Sequence, residues 1–333
     1  MLDQTVRLLD VDGSVVKQRT LLQRLGSRAQ IVELRALESH LRFMSTRKAR
    51  RGFERALVPS QRNRLTFLGS GDFHHLSASL VAQWKTPLSL LVFDGHPDWD
   101  ITSPWPCCGC WINEVLALPN VRRVAVVGLG KTDLHGWHVL RGNLQAIQRQ
   151  KLELFPWSWK RSKTLLARSQ KLPCASLRAR GLKTEIGWQT VAQNGLMSLV
   201  DSILERLPTK EIYLSIDKDC LKRAHAVTNW EEGEASLGEL CQALARVRQR
   251  KDIVGADIIG EWSRGAISNR LFRAIAHADH PLQADPTPDE LRVNEETNSA
   301  LLEVLLPSFG RDSDAPSQTA VTIAARTPQS STR

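Results

Sequence analysis

Three short runs, Gly71-Asp72-Phe73-His74-His75, Asp94-Gly95-His96-Pro97-Asp98 and Ser215-Ile216-Asp217-Lys218-Asp219, set carboxylates and imidazoles close together directly after apolar stretches. In an extended segment, side chains two apart share a side. Asp94, His96 and Asp98 can then converge on one spot, and so can Asp217 and Asp219. Four aspartates gathered in this way repel one another unless cations lie among them. Oxygen-rich ligation with one or two imidazoles suits a hard to borderline divalent ion, manganese above all, and the number of ligands suits two ions.

Such groups need a rigid frame. Apolar runs of strand length recur at 6–9, 65–68, 88–93, 121–127, 152–155, 211–216 and 253–259, with helical stretches between them, which predicts a parallel sheet flanked by helices. Apolar residues at 196, 199, 200, 203, 204 and 207 keep helical spacing. A second helix is expected over 236–247, where Ser236 followed by Glu239 has the form of a capping box. A last helix is expected over 285–306. Each acidic motif follows the apolar core of its strand, so all of them should gather at the C-terminal edge of the sheet, where open α/β folds place their sites.

With 333 residues, 42% of them hydrophobic, the chain can bury a full core. One domain is expected over 1–306, followed by a disordered tail over 307–333 that is rich in Ser, Thr, Ala, Pro and Gln. Neither a signal pattern nor an apolar run of the roughly 18 residues of a membrane helix is seen, so a cytoplasmic protein without a membrane partner is expected. Six cysteines at uneven spacing read as free thiols; Cys107, Cys108 and Cys110 lack a partner pair at zinc-finger spacing. The net charge of +10 invites a nucleic-acid reading, carried best by the basic stretch 42–64. A solvated arginine-rich helix face is the favoured alternative, because no aromatic platform accompanies it. Gly128-Leu129-Gly130-Lys131-Thr132 mimics the end of a phosphate loop, but Ala125 stands where the first glycine belongs.

With these motifs in order, the chain resembles the ureohydrolase superfamily of arginases, agmatinases and formiminoglutamases, as a divergent member, from about residue 65 to about 263. The match includes the loop Glu232-Gly233-Glu234-Ala235-Ser236-Leu237 and Glu261 after a late strand. The resemblance implies a three-layer α/β/α arginase-like fold with a central, mainly parallel sheet. It implies two divalent ions, most simply Mn2+, one held by His74 or His75 with Asp94, Asp98 and Asp217, the other by Asp94, His96, Asp217 and Asp219. It further implies hydrolysis of a carbon–nitrogen bond in a guanidino, amidino or formimino compound, with Asp98 passing a proton to the leaving amine and Glu261 pairing with a cationic amidine. The partner is then a small-molecule substrate, and a homo-oligomer is in keeping with the family. His74 and His75 remain alternatives, because the first motif is shifted by an inserted residue.

The departures narrow the substrate. The loop after the second motif reads Cys108-Gly109-Cys110-Trp111-Ile112-Asn113, without the family's grip on an amino-acid end, which argues against arginine itself. Lys222 and Arg223 replace an Asp-Pro pair and either meet an acidic substrate group or face solvent. Trp99, Trp105, Trp111, Trp230 and Trp262 lie near the motifs, as a cation cage or as loop packing. Of the remaining histidines, His135, His138, His225, His277 and His280, His225 is nearest the third motif and the best spare proton shuttle. Two rival readings are a deacetylase-like amidohydrolase, which needs a catalytic tyrosine where the chain has only Tyr213, and a non-catalytic metal-binding or interaction protein that keeps the fold.

Overall fold

The structure, a computed structural model, describes residues 6–57, 64–130, 132–165, 167–279 and 284–309. Its strands are β1 (Val6–Asp10), β2 (Ala29–Glu33), β3 (Leu65–Ser70), β4 (Leu88–Phe93), β5 (Val121–Leu129), β6 (Leu152–Pro156), β7 (Arg161–Leu165), β8 (Gln170–Lys171), β9 (Ala175–Arg180), β10 (Lys183–Trp188), β11 (Glu211–Asp217) and β12 (Asp252–Glu261). Eight of them form one sheet in the order β2-β1-β3-β12-β11-β4-β5-β6, and every pair in it is parallel. Helices cover both faces, giving the three-layer α/β/α architecture.

The central strands are legible because a parallel strand buried on both faces must be apolar almost throughout. In β4 the sequence Leu-Ser-Leu-Leu-Val-Phe is buried at every position. The Leu196–Arg206 helix buries Leu196, Leu199, Val200, Ile203 and Leu204, the stripe its spacing sets. Ser236 and Glu239 form the expected reciprocal cap on the Leu237–Arg250 helix. The last helix runs over Pro288–Leu305 rather than from 285, because Thr287 and Glu290 close a capping box of their own and Pro288 takes the first turn.

The folded part runs slightly beyond the expected boundary at 306. Leu306–Phe309 forms a 3-10 turn with Phe309 buried, and 310–333, most of the expected tail, lies outside the described residues. The edge strand β2 is half exposed and carries no apolar run, so its sequence gave no signal. Missed as well is a second sheet, β7-β10-β9-β8, antiparallel throughout. The basic stretch 42–64 is partly structural. Arg42 is buried against Asp72 at 2.7 Å and Glu38 at 2.9 Å, and Arg50 is buried with its Nε 2.7 Å from Ser79.

Candidate metal centre

Four strands that neighbour one another, β3, β12, β11 and β4, deliver the motifs to one edge. A 3-10 turn, Gly71–Leu76, follows β3 and carries His74. Asp94 comes directly after β4, and Asp217 ends β11 with Asp219 in the 3-10 turn Lys218–Cys220. Strand alternation is therefore not what gathers the ligands; tight turns at the strand ends are. Asp98 shows this most clearly, since it sits at φ 47°, a left-handed conformation uncommon outside glycine. The indole N–H of Trp111 donates to its Oδ2 at 2.6 Å and fixes the carboxylate there.

His74 Nδ1 stands 3.3 Å from a carboxylate oxygen of each of Asp94, Asp98 and Asp217. Its other nitrogen, Nε2, lies 2.9 Å from Ser215 Oγ. Ser215 has one hydroxyl hydrogen and donates it to Asp257 Oδ1 at 2.7 Å, while Tyr213 donates to Asp257 Oδ2 at 2.8 Å. Ser215 must then accept from His74 Nε2–H, so in the neutral ring it is Nδ1 that keeps the lone pair and faces the carboxylates, the tautomer a metal ligand needs. His96 Nδ1 lies 2.8 Å from Asp219 Oδ2, and the His96 backbone N–H donates to Asp94 Oδ1 at 2.7 Å.

Two sets of ligand atoms result, His74 with Asp94 and Asp98, and Asp94 with His96 and Asp219, each set lying within 4.8 Å. Asp94 belongs to both. Its Oδ2 is buried, stands 3.3 Å from His74 Nδ1 and accepts no hydrogen bond among the described residues. A buried anionic oxygen is costly unless it is paired or coordinates a cation, so the donor set fits divalent ions. Among the protein groups alone, burial and then Asp98 and Asp219 push the Asp94 carboxyl well up. Burial and then Asp219 raise Asp217 to about 7. Burial works against a charged His74, but Asp94 and Asp98 outweigh it and raise the imidazole.

The structure separates the remaining candidates. His75 is fully buried but belongs to neither ligand set; in a 3-10 turn adjacent side chains diverge by about 120°. Burial and the neighbouring Arg50 guanidinium hold its pKa well down. Glu261 does not reach the pocket, which corrects its expected role on a cationic substrate group. Register shifts in β12 on either side of Ile259 turn Gly260, at φ 92°, toward Asp217, where a Cβ would lie 2.3 Å from Oδ1. Glu261 instead forms a buried ion pair with Lys218 and accepts from Asn294 Nδ2 at 3.0 Å and Asn298 Nδ2 at 2.6 Å.

Arg223 pairs with Glu232 and Glu290 at the surface, Lys222 is exposed, and neither lines the pocket. The pocket over the ligands, about 140 Å³, has room for a head group of a few atoms. Its walls include Phe43, Trp99, Trp230, Cys107 and Cys108, so two of the five expected tryptophans and two thiols face it. The indole of Trp230 stacks on Phe43 at 6.2 Å and meets the His96 ring edge-on at 5.3 Å. Asp133 and Arg141 also line it and were missed from sequence, and His138, one of the spare histidines, lines it too. His96 Nε2 is 3.9 Å from Asp133 Oδ2, and His138 Nδ1 is 3.4 Å from Asp133 Oδ1, so His138 rather than His225 is the spare imidazole nearest the centre. The signal was available: Asp133 follows β5, which borders β4, so its loop had to open on the same edge. His280 lies outside the described residues.

A family model described as Arginase family matches residues 177–260, which contain the third motif and nearly all of β12. A Thermotoga maritima sequence described as an uncharacterized protein is 29% identical over 261 residues, 78% of this chain and 81% of its own. Arginase from Bacillus subtilis superposes with a TM-score of 0.54 at 13% identity, over 92% of this chain and 99% of that one. For arginase from Medicago truncatula the TM-score is 0.53 at 14% identity, over 92% and 87% of the two chains. Formimidoylglutamase from Bacillus subtilis gives 0.51 at 14% identity, over 89% and 86%. The family model and the order of the acidic motifs agree in what they resemble, and over nearly its whole length the chain shares the arginase fold.

Proposed function

We propose that the protein is a cytoplasmic hydrolase that uses two manganese ions to cleave a carbon–nitrogen bond in a linear amidine: a guanidino, amidino or formimino compound. The observation that supports this most is the pair of ligand sets sharing Asp94. His74, Asp94, Asp98 and Asp217 would hold one ion, and Asp94, His96, Asp217 and Asp219 the other. When bound, two such ions would supply a water of lowered pKa as the nucleophile near neutral pH.

The chain's own residues do the rest. Ser215 and Asp257 hold the His74 ring, and Trp111 holds Asp98 where it can carry a proton to the leaving amine. Asp133 joins His96 to the half-exposed His138, which offers a path for that proton to solvent. Phe43 and Trp230 wall the pocket and limit water around a planar head group. With Glu261 already paired with Lys218, recognition of a cationic end falls to the carboxylates that line the pocket.

A deacetylase reading is disfavoured by Tyr213, the one tyrosine, whose buried hydroxyl donates to Asp257 outside the pocket. The test is elemental analysis followed by a screen of guanidino acids, diamine-type amidines, formimino compounds and acetylated amines. Release of urea, ammonia or formamide in step with manganese loading is the expected result. Turnover of acetylated amines alone would replace the reading with the deacetylase, and a folded protein that takes up no metal would replace it with a non-catalytic binder.

A further inference from the structure

The chain's positive charge is concentrated in two stretches. Residues 42–64, with Arg42 and Arg50 buried, and residues 160–188, which hold the small antiparallel sheet, each contain eight lysines and arginines against a single glutamate. Cross-strand register sorts its side chains. Lys183 pairs with Leu165 and Arg180, Glu185 with Lys163 and Arg178, and Gly187 with Arg161 and Ser176, so these residues share one face. The opposite face is buried through Ser162, Thr164, Leu177, Thr184, Ile186 and Trp188, with Trp188 donating to Ser162 at 2.7 Å and meeting Trp99 edge-on.

On the outward face, Arg161 pairs with Glu185, whereas Lys163, Arg178, Arg180 and Lys183 are exposed and form no ion pair among the described residues. One end of this face is also apolar. The β9–β10 hairpin turns through Gly181-Leu182 with Leu182 71% exposed, and Leu165, across from Lys183, is 51% exposed.

We propose that this face docks the protein on an anionic lipid bilayer, with Leu182 and Leu165 entering the interface and the surrounding cations meeting the headgroups. Exposed aliphatic side chains ringed by lysine and arginine suit a membrane surface, where apolar burial and attraction to acidic lipid act together. A nucleic-acid strand suits the face less well, because it carries no aromatic ring for base stacking and its leucines would lie against phosphate. The expectation of no membrane partner came from the lack of a spanning segment, and no described helix is long and apolar enough to span; surface docking needs none.

The test is co-sedimentation of the full chain with phosphatidylcholine vesicles, with and without phosphatidylserine, at low and high salt. Binding only to the anionic vesicles, lost at high salt, is expected. Reversing four charges, K163E/R178E/R180E/K183E, should weaken it at least tenfold and Leu182→Asp several-fold. Reversing Arg47, Lys48, Arg51 and Arg55 on the Arg47–Ala56 helix should leave it unchanged. Circular dichroism and manganese uptake separate these effects from misfolding and from failure of the metal reading. Absence of binding to anionic vesicles, equal loss with the helix reversal, or tighter binding to a nucleic-acid duplex that Leu182→Asp does not affect would each overturn the proposal.

Discussion

Asp94 is the residue on which the two ligand sets depend. Alanine at Asp94 should therefore abolish uptake of both ions, whereas alanine at Asp98 or Asp219 should weaken one site and leave the other measurable by calorimetry. The pH dependence follows from Asp217. Its carboxyl is raised to about 7, mainly by burial, so between about pH 4 and 7 the native state holds a proton that the unfolded chain gives up, and metal-free stability falls as pH rises through that window. Manganese replaces the proton, so its addition should raise the melting temperature more at pH 8 than at pH 5. Equal shifts at both would contradict this. Glu261 makes a different prediction from the one its sequence position suggests. Lys218→Met leaves it buried with only amide partners and should cost on the order of 3–5 kcal/mol in urea unfolding, with much of that recovered in the Lys218→Met/Glu261→Met double variant.

At the scale of elements, the ends of strands do the positioning, and here the sequence was only partly informative. All seven apolar runs became strands of the main sheet, and their shared edge followed from parallel topology, which is why His74, Asp94, His96, Asp98, Asp217 and Asp219 could be named together. What an apolar pattern cannot carry is a bulge. Register shifts on either side of Ile259 turn Glu261 to Lys218, Asn294 and Asn298, and no composition signal marks them. Gly260→Ala tests this element: the left-handed φ and the close approach to Asp217 leave no room for a Cβ, so the variant should fold less stably and lose at least tenfold in manganese affinity. The small sheet was missed for another reason. Charged residues at its outward positions gave it the look of a loop, although buried residues alternate with them as in any half-buried strand.

For the whole molecule, the arrangement divides the labour. An apolar parallel sheet fixes the edge, the last helix reaches that edge through Asn294 and Asn298, and the peripheral sheet carries one of the chain's two strongly basic stretches. The same division explains why composition said little about function: +10 overall hides a strongly acidic pocket floor. The account stands on that floor binding two ions. The most direct measurement is the manganese content of the purified, manganese-equilibrated full chain and of its Asp94→Ala variant, by elemental analysis. The account expects about two ions per chain, falling to none in a variant that still folds. A wild-type chain that keeps its fold and binds no manganese, or a variant that binds as many ions as the wild type, would contradict it.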